Sequence, residues 1–307
     1  MPSIEWVLVL LTMNMKKVRI IFCLLVSLLG AFGLHAQTQP TEKVLRYAFQ
    51  VAETGFDPPQ LSDLYSRIVT ANIFDGLYGY DYLARPVKIR PVLAVAMPTY
   101  SDDLRTLTIK IRPGIYFADD PAFGGKKREL TAQDVVYSYK RPFDPKTKAQ
   151  TYPDLEEEKL VGLDALRREA EKPGAHFNYD KEVEGIRALD RYTVQFKTQD
   201  KHPRFIYKLA DTGVYGIVAR EVVEKYGDKI MEHPVGTGPF KLDQWTRSSK
   251  ITFIKNPNFR EEFYNAEPPA DDPVAQAVYQ KMKGKRLPMV DRVELSIIEE
   301  NQPRWLS

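Results

Sequence analysis

Cysteine is nearly missing from this chain, which has one, Cys23, in 307 residues, and histidine is scarce at four. Cys23 lies in an N-terminal apolar stretch that reads as a removable leader, so the mature protein has no thiol for a disulfide, a metal site or a nucleophile. Apart from His35, the histidines His176, His202 and His233 are 26 and 31 residues apart, with no helical metal-binding pair among them. No charge sign dominates, with 44 basic and 41 acidic residues. No apolar run outside the N-terminus is long enough to span a bilayer. A content of 43% apolar and 28% charged residues excludes disordered and collagen-like chains and fits a folded globular protein of about two domains.

The N-terminus is organised as an export signal. The basic stretch Met15-Lys16-Lys17-Val18-Arg19 precedes fifteen uncharged, mostly apolar residues from Ile20 to Leu34, and small Ala36 ends the segment. Residues 1–36 are therefore expected to be a signal peptide cleaved after Ala36, with a retained transmembrane anchor, which needs about 20 apolar residues, as the lesser reading. Glu5 stands where a basic residue is wanted, which makes Met13 or Met15 the expected true start. Cleavage removes Lys16, Lys17, Arg19 and Glu5 and leaves 41 basic against 40 acidic residues, a balance that gives no footprint for nucleic acid. Phe22 before Cys23 is too large for a lipid-anchor signal. The mature protein is expected to be free in the periplasm or another exported compartment, with no stable membrane insertion.

Periodicity predicts a mixed α/β fold. Val44, Tyr47 and Phe49 lie in a strand that ends at the turn Gly55-Phe56-Asp57-Pro58-Pro59. A helix follows behind Ser62 or Asp63 as N-cap, with Leu61, Leu64, Tyr65, Ile68, Ala71, Asn72 and Phe74 as its expected core-facing positions. Leu107, Ile109 and Ile111 alternate with Thr106, Thr108 and Lys110, the period of a half-buried strand. Thr131 and Asp134 open a second helix, with Lys126, Lys127 and Arg128 before it expected on solvated surface. Residues 142–180 read as a polar, lid-like excursion or an insertion. Tyr192, Val194 and Phe196 restore strand alternation, and short helices are expected over Phe205–Leu209 and Glu221–Tyr226.

Candidate chemistry is thin. The sequence has no G-x-S-x-G elbow and no phosphate loop. The pairs Asp102-Asp103 and Asp119-Asp120 border turns, where solvation accounts for them. Gly236-Thr237-Gly238-Pro239-Phe240 lacks a third glycine, and Pro239 removes an N–H that an anion nest needs, so it reads as a tight turn into a strand. Its glycines still allow close approach of a ligand to the backbone.

Five segments in order, Phe74-Asp75-Gly76-Leu77, Thr106 to Phe117, Leu130 to Arg141, Gly236 to Phe240 with Trp245, and Ile254-Lys255-Asn256-Pro257 with Phe259, carry a resemblance. They resemble the family 5 extracellular solute-binding proteins of bacterial ABC importers, the oligopeptide- and dipeptide-binding type. The resemblance implies a periplasmic-binding-protein-like clamp of the type II, three-lobe kind. Its first lobe would take residues 37–79 and 196–307, and its second lobe residues 80–195. The third lobe should follow Asp291 to Glu299. The chain ends at Ser307, where a helix would only be starting, so the third lobe is expected to be missing.

The same resemblance implies a non-enzymatic protein, with no cofactor and no metal, that captures a peptide or related small solute and hands it to permease subunits. By resemblance, the loop after the first strand, at Ser62, Asp63 and Leu64, touches peptide backbone. Tyr152 approaches from the second lobe, and Thr237 and Gly238 line the cleft. Read from the residues alone, Ser62 or Asp63 equally caps a helix and Tyr152 equally packs. Two other functions stay open at this stage, a ligand-binding lobe of a larger sensor or regulator and an exported hydrolase using carboxylates near Asp119.

Overall fold

A computed structural model describes residues 42–306. The expected leader, with Cys23 and the cleavage position after Ala36, lies outside them. Strand β1 (Val44–Phe49) leads through a loop into α1 (Leu64–Ile73) and the hairpin β2 (Tyr78–Tyr80) and β3 (Ile89–Pro91). Next come β4 (Thr99–Tyr100), β5 (Thr106–Lys110), α2 (Ala132–Lys140), α3 (Tyr152–Glu156), α4 (Leu163–Ala170), β6 (Ile186–Asp190) and β7 (Thr193–Lys197). The chain closes with α5 (Phe205–Lys208), α6 (Thr212–Tyr215), α7 (Arg220–Tyr226), β8 (Phe240–Thr246), β9 (Lys250–Lys255), α8 (Pro273–Met282), β10 (Arg292–Ile297) and α9 (Asn301–Leu306). Among the described residues no helix is long and apolar enough to cross a membrane.

Two four-stranded sheets organise these elements. The first has the order β1-β10-β9-β8, with β1 parallel to β10 from Val44↔Arg292 to Phe49↔Ile297 and the other pairs antiparallel. Parallel neighbours cannot be joined by a tight turn, so nearly the whole chain is spent on the crossover between them. The second sheet, β4-β5-β7-β6, is antiparallel and pairs Leu107 with Phe196 and Ile109 with Val194. These four side chains are at most 1% exposed, and the expected alternation of β5 and β7 is met.

Helix α2 covers the second sheet. Its start is the expected one, with the Thr131 backbone N–H donating to the Asp134 carboxylate at 2.7 Å, which satisfies a group the helix itself leaves unpaired. Val135, Val136 and Tyr139 enter the same core as β5 and β7.

The structure corrects three expectations. First, residues 142–180 are no detached lid: Leu155, Leu160, Leu163 and Leu166 are at most 2% exposed and close the core of the second sheet. The charged residues between them made this segment look polar. Second, Arg128 is not free surface, because its guanidinium reaches Asp134 and Glu221 at 2.7 Å each and ties α2 to α7.

The third correction concerns α1: of the expected core-facing positions Leu61 and Phe74, which flank the helix, are buried and Tyr65 packs on Phe49, but within the helix a different face turns inward. Ser66, Val69, Thr70 and Ile73 point inward, while Leu64 is 65% and Ile68 41% exposed, and Ala71 and Asn72 are exposed as well. The inward polar residues are fully used: Ser66 Oγ accepts from the Thr54 N–H at 2.9 Å, and the Thr70 hydroxyl bonds the Gly213 carbonyl at 2.7 Å. That last contact needs close approach between α1 and α6, and a Cβ on Gly213 would sit 3.0 Å from the Arg67 carbonyl. Small polar side chains permit the approach where leucines would not.

Around the first sheet a second core gathers Phe49, Phe56, Val69, Ile73, Phe253 and Leu295. The expected lobe boundaries at 79/80 and 195/196 fall inside β2 and β7, and the described residues form one compact unit. Its two sheets are joined by a buried ion pair: Arg141, just after α2, grips Asp57 in the loop after β1 at 2.6 and 2.9 Å.

Candidate functional site

Because β1 and β10 are parallel, their carboxyl ends, Phe49 and Ile297, lie at the same end of the first sheet. In open α/β sheets this is where ligands are held, since loops leaving the strands there surround a crevice that side chains of the sheet do not fill. The loop after β1 covers this end and is rigidly built. Glu53 is 2% exposed, and its carboxylate accepts from the Trp245 indole N–H and the Ser248 N–H, while Phe56 packs on the Trp245 ring at 4.7 Å. Asp57 is held by Arg141 as above and by the Gln60 side chain at 2.7 Å.

At the end of this loop stand the residues expected to meet a ligand. Asp63 caps α1, with its carboxylate accepting from the Ser66 N–H at 2.7 Å and from the Thr54 hydroxyl at 2.6 Å. Burial raises the carboxyl pKa, but the hydrogen bonds from Thr54 and Ser66 outweigh it and hold Asp63 below its ordinary 3.8. Asp63 is therefore committed to the cap, whereas Ser62 and Leu64 on either side are exposed.

A depressed folded pKa stabilises the cap at and above the ordinary carboxyl range and loses that stabilisation as pH falls through the lowered value. Carboxyl carbon NMR should give an Asp63 midpoint below 3.8, and amide protection at Ser66 should fade in the same acid range. A midpoint above 4 would show that the cap is not made in solution.

Tyr152 is brought to the same end. The Pro59 carbonyl accepts from the Gln150 N–H at 2.8 Å and from the Thr151 hydroxyl at 3.3 Å, so the chain entering α3 lies against the loop after β1. The Tyr152 ring packs edge-on to Phe143 at 5.6 Å and under the Arg167 guanidinium at 3.9 Å, and its hydroxyl donates to Glu156 at 2.6 Å. Burial and the Glu156 carboxylate push the phenol up to about 12, which keeps it a neutral donor.

Thr237 and Gly238 are not with the other four residues. They abut the opposite end of α1, about 15 Å away along ten helical residues. The Gly238 N–H donates to the Ile73 carbonyl at 2.8 Å. Thr237 is 1% exposed, with its hydroxyl bonded to Asp75 at 2.8 Å. The glycines here serve packing, since a Cβ on Gly236 would meet the Ile73 carbonyl oxygen at 2.1 Å.

Of the carboxylates weighed as alternative catalytic candidates, Asp103, Asp119 and Asp120 have structural partners. Asp119 accepts from the Asn258 side chain, Asp120 accepts from the Ala122 N–H and the Tyr226 hydroxyl, and Asp103 accepts from Ser101 and Arg105. His233 stacks on Tyr226 at 3.8 Å, and His202 meets Glu158 at 3.1 Å. Among the described residues no group of three or more His, Cys, Asp or Glu side chains is placed to hold a metal ion. Sequence reasoning missed the Arg141–Asp57 pair and the Glu53–Trp245 bond, whose partners are 84 and 192 residues apart.

The chain and its fold have counterparts among known proteins. Residues 88–307 match the family described as bacterial extracellular solute-binding proteins, family 5 middle. The glutathione-binding protein GsiB of Shigella flexneri is 29% identical over 202 residues, 66% of this chain and 32% of that protein. The periplasmic binding protein DppA of Helicobacter pylori, solved with the peptide STSA, superposes with a TM-score of 0.59 and 25% identity over 86% of this chain and 45% of its own. The substrate-binding domain of an oligopeptide ABC transporter from Bacillus anthracis gives a TM-score of 0.65 at 21% identity, over 86% of this chain and 43% of its own. The chain thus spans about a third of the curated relative and under half of each solved structure. Its mixed α/β fold is that of periplasmic peptide-binding proteins, and the chain belongs to the family 5 bacterial extracellular solute-binding proteins, which are binding proteins rather than enzymes.

Proposed function

We propose that this chain is the solute-capturing component of an ABC importer, exported with cleavage after Ala36 and serving permease subunits. It takes a short peptide or a peptide-like solute of glutathione size at the carboxyl end of β1 and β10, and it performs no chemistry on it. Residues 37–79 with 196–307 act as one lobe of the clamp and 80–195 as the other.

The observation that supports this reading best is the exposed apolar shelf of α1, where Leu64 and Ile68 face solvent on a helix whose opposite face is in the core. Side chains of a bound peptide lie on that shelf, and its backbone bonds the free Ser62 hydroxyl. Tyr152 bounds the site from the second sheet, and Thr237 and Gly238 support it only indirectly, by fixing the far end of α1. Relatives support the solute class, one through its name as a glutathione-binding protein and one through its complex with a tetrapeptide.

Calorimetric titration with reduced glutathione and with the tetrapeptide Ser-Thr-Ser-Ala tests the proposal. Saturable binding of one of them is expected, with the solute recovered unchanged in mass. Leu64→Asp, on a side chain that carries no core packing, should weaken binding at least about tenfold, or about 1.4 kcal/mol. Binding that ignores this substitution places the site elsewhere, and hydrolysis of the solute removes the non-enzymatic reading.

A further inference from the structure

A wide open space lies at the other end of the first sheet. One depression of about 590 Å³ reaches from Phe74 and Asp75 past Phe240 to Val290, and a second of about 570 Å³ extends it along the β2–β3 hairpin. The two share Tyr80, Arg90, Val92, Glu262, Tyr264 and Leu287 and so form one trough. Phe240 opens β8 and Val290 precedes β10, so the trough lies a strand length, about 20 Å, from the loop at Ser62. Each part has the size of a small-molecule site.

The charges of the trough are almost all spent. Arg260 bonds Asp75 and Glu262 at 2.7 Å each, and Arg90 bonds Glu262 at 3.2 Å. Asp81 accepts backbone N–H groups of Leu83, Ala84 and Glu267, and Glu267 pairs with Lys88. Arg112 differs. Its Nε donates to the Ala94 carbonyl at 3.0 Å, which fixes the plane of the guanidinium, and among the described residues no carboxylate lies within 4 Å of it. Beside it the trough displays exposed aromatic surface: Tyr82 is 76% exposed, Phe263 49% and Tyr80 46%.

We infer that this trough is a second small-solute site, selective for a carboxylate with an aromatic or flat apolar body. The remaining N–H groups of Arg112 grip the carboxylate in the planar, two-point manner of guanidinium pairs, and the body lies against Tyr80, Tyr82 and Tyr264. The site is independent of the peptide site and carries its own cation.

The test uses 3-phenylpropionate as probe and its neutral amide as control, followed by ligand-observed NMR and titration. Binding of the acid is expected, at least about tenfold tighter than the amide. Arg112→Gln should remove that preference, and Tyr82→Ala, at a side chain that supports no packing, should weaken the acid about three- to fivefold while the thermal melt stays unchanged. Leu64→Asp should leave 3-phenylpropionate binding intact, and Arg112→Gln should leave glutathione or peptide binding intact, which separates failure here from failure of the peptide reading. No binding at about 10 mM acid, equal binding of the amide, or full binding by Arg112→Gln overturns the assignment.

Discussion

Replacing Arg141 by methionine should destabilise the protein by about 3–5 kcal/mol, measured as the shift in free energy of urea unfolding. Arg141 and Asp57 are 3% and 0% exposed at their side chains, and the guanidinium makes two bonds to the carboxylate, at 2.6 and 2.9 Å. Burial alone pulls the guanidinium pKa down, and the charge of Asp57 more than reverses this, so Arg141 is held charged. Methionine fills most of the space but leaves a buried carboxylate facing only the Gln60 side chain.

The cost arises chiefly from that uncompensated charge, so the pair itself is worth less than the single substitution suggests. Asp57→Asn combined with Arg141→Met should therefore recover a large part of the loss. A double variant as unstable as Arg141→Met alone would mean that the guanidinium acts through packing and not through Asp57. The single variant should also loosen the loop from Glu53 to Asp63, because Arg141 ties Asp57 in that loop to the end of α2.

Gly236→Ala should cost about 3 kcal/mol, at the upper end of overpacking effects. The added Cβ would stand 2.1 Å from the Ile73 carbonyl oxygen, 2.7 Å from its carbon and 2.9 Å from Phe74 Cα, all backbone atoms that cannot rotate away. Gly236 cannot retreat either, since its own carbonyl accepts from the Ala118 N–H at 2.9 Å and Gly238 bonds Ile73 two residues on. Gly114→Ala is the contrasting case. Nothing lies within 4 Å of its Cβ, and only its φ of +76° opposes a side chain, so about 1 kcal/mol is expected. Equal melts for the two variants would show that the loop at Gly236 yields and that the close approach to α1 is not fixed.

The sequence by itself determined the features whose causes lie within a few residues. Leu107 and Ile109 alternate with polar neighbours, and that period fixes both a strand and its buried face. Thr131 and Asp134 are three apart, which is the reach of a carboxylate back to the backbone N–H at a helix start. The order of five motifs gave the family, because each motif is a short local pattern.

Tertiary structure alone decided which face of α1 is buried. The pattern of Leu64, Ile68 and Ala71 is a sound amphipathic stripe, yet the helix turns Ser66 and Thr70 inward, because Gly213, 143 residues from Thr70, lets the backbones approach and supplies the carbonyl that Thr70 bonds. The same holds for Thr237, whose place in a cleft depended on Asp75, 162 residues away, taking its hydroxyl. Periodicity states that a helix has an apolar side; only the partner elements settle whether that side meets the core or is left for a ligand.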